Sequence, residues 1–89
     1  MKIENEEMVI NMGLFRYDNR MIASLIGCEQ SEVDAQTNNP KSQLSKLLQK
    51  GRDMGEYVID LKLFDMAKAG DVKALDKLNI RIQNRVENG

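Results

Sequence analysis

The stretch from Ser42 to Ala69 constrains the fold more than any other part of the chain. It holds no proline, and Leu44, Leu47, Gly51, Met54, Val58 and Leu61 follow one another at alternating steps of three and four residues. That spacing is a heptad-like seam and predicts a single helix about 40 Å long. Strand signals are weak by comparison. Aromatic residues are 4% of the chain, and no segment alternates apolar and polar residues for long. The prediction is an all-α fold, an N-terminal helix-turn-helix followed by a long helical hairpin. Gly51 and Gly55 each cost about 1 kcal/mol against alanine inside a helix, so they mark a break or a close helix contact. From Tyr57 to Ala67 the apolar residues wrap almost all round, and such a helix needs neighbours on every side.

Punctuation divides the rest into short helices. Glu4 to Met12 places Glu4, Glu6 and Glu7 at the positive end of a first helix, with Gly13 as its stop. Asp18 or Asn19 caps a second helix that runs to Ile26, and Gly27 ends it. A third runs from Gln30 to Thr37, with Ser31 and Asp34 spaced as in a capping box. Asn39-Pro40 forces the chain out of helical geometry. Gly70 followed by Asp71 reads as a helix end and the next N-cap, so Val72 to Val86 folds back on the long helix. Two regions follow, residues 1–40 and 41–89, within one compact unit.

Several function classes are excluded. The chain has no His and one Cys, which removes His/Cys zinc sites, Ser-His-Asp and Cys-His catalysis and an internal disulfide framework. No glycine-rich phosphate loop is present, and the carboxylates lack metal-ligand spacing. Cys28 fits a small core residue, and the six Met residues fit core or interface filler. We expect no enzyme activity, no cofactor and no metal. No apolar run approaches the roughly 20 residues of a membrane span, and Met1 to Glu7 is too acidic for a signal peptide. The expectation is a soluble, intracellular protein without a membrane partner. The net charge of −1 argues against binding nucleic acid by bulk charge. The charge is uneven, however: −4 over residues 1–40 and +3 over residues 41–89, with no acid between Lys41 and Arg52.

The second and third helices carry the most information. A helix-turn-helix needs a small residue in its first helix, a glycine in the turn and apolar residues that lock the crossing. Ala23, Gly27, Ile22, Ile26, Cys28 and Val33 meet those requirements. The large apolar residue expected three positions after Val33 is replaced by Gln36, leaving Ala35 to serve or the helix less firmly held. A plain helical hairpin is the competing structural reading.

From Asp18 to Arg85 the chain resembles the phage terminase small subunit family. The resemblance runs through Arg20-Met-Ile-Ala-Ser-Leu-Ile-Gly27, Ser31 at the start of a recognition helix, Asn39-Pro40 and Lys50-Gly51-Arg52. It continues through apolar Val58 to Ala67 and the turn Ala69-Gly70-Asp71-Val72-Lys73-Ala74. It implies a subunit that binds double-stranded viral DNA, forms a homo-oligomeric ring through the hairpin, and hands DNA to a large terminase subunit in the host cytoplasm. The large subunit would supply the ATPase and nuclease. Members commonly carry a further segment after the hairpin, whereas this sequence reaches only Gly89. The other readings are a dimeric helix-turn-helix transcription regulator and a virion structural or adaptor protein that binds no DNA.

For DNA contact, Gln30, Ser31, Gln36 and Thr37 are the candidates to face bases, since Gln can pair bidentately with adenine. Asn38, Asn39, Lys41 and Ser42 are candidates for phosphate, with Arg16 and Arg20 reaching it from the helix before. Lys46 and Lys50 extend the basic run, while Lys62 and Lys68 fit a solvated face better. Glu29, Glu32 and Asp34 oppose binding nearby. The expected oligomer interface is Leu44, Leu47, Met54, Val58, Leu61 and Phe64, because one partner helix cannot cover every apolar face of the long helix.

Overall fold

The computed structural model describes all 89 residues, Met1–Gly89, and they form five helices and no strand. These are α1 (Glu6–Leu14), α2 (Asn19–Ile26), α3 (Gln30–Thr37), α4 (Gln43–Lys68) and α5 (Val72–Asn88). The all-α expectation and the long helix are therefore observed. Local chemistry explains the boundaries. Asp18 caps α2 by accepting from the Met21 backbone N–H at 2.9 Å, and Asp71 caps α5 by accepting from that of Ala74 at 3.0 Å. Gly27 and Gly70 end their helices with φ of 86° and 104°, a region that excludes most side chains.

The compact units divide at a different place from the sequence boundary at residue 40. One unit is Met1–Gly55 and the other Glu56–Gly89. The first three turns of α4 belong to the first unit because they complete its core. Val9, Met12, Ile22, Ala23, Val33, Leu44 and Leu48 are buried together there, with Ile3, Met8, Tyr17, Ile26, Cys28 and Leu47 packed around them. Each of α1 to α4 thus contributes to one apolar cluster.

Two glycines allow α1 and α4 to meet backbone to backbone. A β-carbon on Gly51 would overlap the Ile10 carbonyl oxygen and lie 2.7 Å from the Leu14 nitrogen. One on Gly13 would overlap the Leu48 carbonyl oxygen and lie 2.8 Å from the Leu48 Cα. Gly13 is therefore not the stop that the sequence suggested. It lies buried inside α1, which continues to Leu14. Of the two readings left open for Gly51, close contact is the one observed, and α4 runs through it unbroken. The seam is also corrected: the buried positions of α4 are Leu44, Leu48 and Gly51, a single face set by α1 and the core.

The second unit has little interior. Ala74 and Leu78 are its buried apolar residues, while Tyr57, Val58, Ile59, Leu61, Phe64, Met66, Val72, Leu75, Ile80, Ile82 and Val86 stay exposed. Within it the end of α4 and α5 run antiparallel, so that Glu56 meets Arg85 and Asp60 meets Arg81.

Gly51→Ala should lower stability by about 2 kcal/mol or more, because the clash is with backbone that no rotamer change relieves. A thermal melt followed by circular dichroism checks this. A variant that melts at or above the wild-type temperature, as better helix propensity alone would give, contradicts the crossing.

Candidate nucleic-acid interface

The α2–α3 pair is held by apolar and polar groups together. Ile22, Ala23 and Val33 supply the apolar contact, at 1%, 4% and 0% exposure. Ala35 is exposed, and Gln36 is half-buried, so neither replaces the missing apolar residue. In its place Asn19 Nδ2 donates to Asp34 Oδ1 at 2.8 Å and to Thr37 Oγ1 at 3.1 Å. Thr37 Oγ1 in turn donates to the Asp34 carbonyl oxygen at 3.2 Å. From the other side, Ser42 Oγ and Ser45 Oγ donate to the Gln36 carbonyl oxygen at 2.7 and 2.9 Å. Five side chains thus hold α3 between α2 and α4. The sequence reading passed over Asn19 and Ser45 in this role. Their only sequence signal was polarity at positions where packed helices usually bring apolar groups.

This network withdraws two DNA candidates. The Thr37 hydroxyl is committed to Asn19 and Asp34, and the Ser42 hydroxyl to Gln36 and the Ser45 N–H. Asn39 Oδ1 accepts from the Lys41 backbone N–H at 3.0 Å, and the residue is exposed, so its amide donor stays accessible. Ser31 lies inside α3, which starts after Glu29 with no side-chain cap, so the capping-box reading also fails. Gln30, Ser31 and Asn38 are exposed and so remain accessible. Glu29 and Glu32 are exposed beside them and form no ion pair. They also push the Cys28 thiol above its ordinary pKa, after the larger effect of its burial.

The cations fall into two groups. Lys41, Lys46 and Lys50 are exposed and form no ion pair, and the helical period sets Lys46 and Lys50 on the face of α4 opposite Leu44 and Leu48. Arg20 is exposed on α2. Arg16 occupies the α1–α2 turn at φ 57°, an unusual conformation for a side-chain-bearing residue. Arg52 is half-buried and donates to Gln49 Oε1 at 3.1 Å. In the second unit three of the six cations are paired, and Lys62, Lys73 and Lys77 are exposed and form no ion pair. Arg81 bonds Glu56 and, at 2.7 Å, Asp60. Arg85 bonds Asp60 at 2.6 Å and Glu56 at 3.3 Å. Lys68 pairs with Asp65 at 3.6 Å and sits 4.6 Å from the centre of the Phe64 ring.

The expected oligomer residues separate in the same way. Leu44 is 0% exposed in its own chain's core and cannot face a partner. Leu47 is half-buried against that core. Met54, Val58, Leu61 and Phe64 are exposed. Tyr57, Asp60, Leu61 and Phe64 of α4 form, with Leu78 and Ile82 of α5, a shallow apolar cleft of about 260 Å³. No helix is long and apolar enough to cross a membrane, and no group of three or more His, Cys, Asp or Glu side chains is placed to hold a metal ion. No protein-family profile, curated protein or solved structure matches the chain.

The ion quartet gives a pH prediction. Hydrogen bonding from Arg85, and then from Arg81, holds the Asp60 carboxyl below its ordinary range against the opposing effect of burial. A depressed carboxylate stabilises the fold above the unfolded-state pKa of about 3.9, and that contribution is lost as pH falls through the lower folded value. Asp60→Asn should therefore cost about 1 kcal/mol near neutral pH and flatten the acid limb of the melting-temperature profile. An acid limb identical to wild type would show that the quartet does not act in solution.

Proposed function

We propose that this protein is the DNA-recognition subunit of a viral genome-packaging terminase, working as a homo-oligomer in the host cytoplasm and presenting double-stranded DNA to a large terminase subunit. In this reading the chain catalyses nothing itself. Its first unit, which holds the α2–Gly27–α3 pair, contacts DNA, and its hairpin joins the copies. The observation that carries the reading is the pairing in one chain of an ion-pair-free lysine run, Lys41, Lys46 and Lys50, with a hairpin whose apolar side chains are mostly uncovered. The lysines suit a polyanion. The hairpin suits association, since about ten large apolar side chains near half exposure approach the roughly 800 Å² per partner of a standard interface. The order of these features along the chain is also that of the terminase small subunits it resembles.

The exposed acids Glu29 and Glu32 at the start of α3 favour a second reading, a virion adaptor that binds other proteins and no DNA. Two measurements decide. Sedimentation at micromolar concentration should give an assembly larger than a dimer, and Leu61→Asp should reduce it to monomers while leaving the helical content of the first unit intact. A gel shift at low salt should retain duplex DNA. A dimer that shifts DNA points to a transcription regulator, an assembly that shifts none points to the adaptor, and a monomer overturns the ring.

A further inference from the structure

We infer that the DNA-contacting surface of this chain is the outward face of α4 with Lys41, Lys46 and Lys50, and that it grips the duplex backbone without reading sequence through α3. The inference rests on the DNA-binding reading above and deepens it by naming the surface and what it contacts.

The first ground is what α3 presents. One hundred degrees per residue places Ser31, Ala35 and Asn38 on the face opposite buried Val33, with Glu32 beside them. Recognition helices contact bases with their N-terminal residues, and here that end carries Glu29 and Glu32, exposed and without a cation partner. Phosphates on either side of a groove repel both. Thr37, which the sequence offered as a reader, is bonded inward.

The second ground is what α4 presents. Lys46 and Lys50 are one turn apart, about 6 Å along the axis, so both ammonium groups can reach phosphates of one strand. Two acids adjoin this stripe and keep their charge, Glu6, which accepts from Gln43 at 3.1 Å, and exposed Asp53, which accepts from Gln49 at 3.0 Å. Neither is paired with a lysine. Between Lys41 and Glu56 there is no aromatic residue. Surfaces that hold single strands stack bases on aromatic rings, so a stripe of lysines and amides fits the duplex backbone instead.

The test is a titration of the full chain against fluorescent duplexes of unrelated sequence between about 50 and 200 mM salt. Wild type should bind all of them within about threefold of one another and more tightly than single strands of equal length. The log-log salt slope should carry about −0.9 for each lysine engaged, so Lys46→Ala with Lys50→Ala should make it shallower by about 1.8 per protomer on the DNA and weaken binding about tenfold or more at low salt. Lys77→Ala, an exposed lysine of the hairpin, should leave the slope unchanged. Melting curves of the variants separate weakened binding from misfolding. Retained duplex binding with an unchanged slope in the double variant overturns the α4 surface, and so does strong preference for one sequence or for single strands. Failure of wild type to hold any duplex at low salt overturns the DNA reading itself.

Discussion

The fold of the first unit depends on how closely α1 and α4 can approach. With Gly13 facing the Leu48 backbone and Gly51 facing Ile10 and Leu14, the two helices touch along their main chains. Any β-carbon at either site would force them apart. The close approach brings Val9 and Met12 against Leu44 and Leu48, and these four make more than half of the buried cluster. Two glycines in helix interiors cost about 2 kcal/mol in propensity, and the packing around them offsets it. Gly55 continues the same approach, with the Leu14 side chain at 3.3 Å from where its β-carbon would be.

A second constraint follows from that one. Once α4 lies on α1, its first turn is fixed beside the end of α3, where Ser42 and Ser45 reach the Gln36 carbonyl. The α2–α3 pair is held there by directional bonds to Asn19 as well as by Val33. Hydrogen bonds set angle and register more narrowly than apolar contact does. They also consume polar side chains that a sequence would suggest for a ligand. Structure and recognition compete for the same polar residues of α2 and α3, and structure takes Asn19, Asp34 and Thr37.

The helices themselves were legible in the sequence. Asp18, Gly27, Asn39-Pro40, Gly70 and Asp71 act locally, each through its own backbone geometry or side chain, and all five marked their boundaries. The partners were not legible. A glycine inside a helix and a glycine after one look alike until the facing helix is known, which is why Gly13 read as a stop. Leu47 fitted the heptad as well as Leu48 does the core, because periodicity gives a face only to within about one residue. Arg81 and Arg85 stood every four residues with Lys73 and Lys77, and only the antiparallel pairing of α5 with α4 distinguishes the two bonded arginines. On the candidate surface, the acid-free run from Lys41 to Arg52 was visible at once. The commitment of Thr37 and Ser42 to internal bonds was not.

The charge pattern changes meaning once the units are known. Split at residue 40, the chain looked like an acidic part and a basic part. Split between Gly55 and Glu56, as the compact units fall, the first has seven basic and eight acidic residues and the second has six of each. Neither unit carries a net field that would draw DNA from a distance. In the second, two of the six cations are bound to carboxylates on the facing helix. Its unpaired Lys62, Lys73 and Lys77 are divided between two helices, whereas the first unit holds a short local run of three lysines, enough for about three phosphates. Because each phosphate contributes a modest, salt-sensitive increment, one copy of such a surface binds weakly, and useful affinity requires several copies on the same duplex. The uncovered apolar faces of the hairpin and the small lysine surface of the first unit therefore make the same demand, since each is adequate only in an assembly.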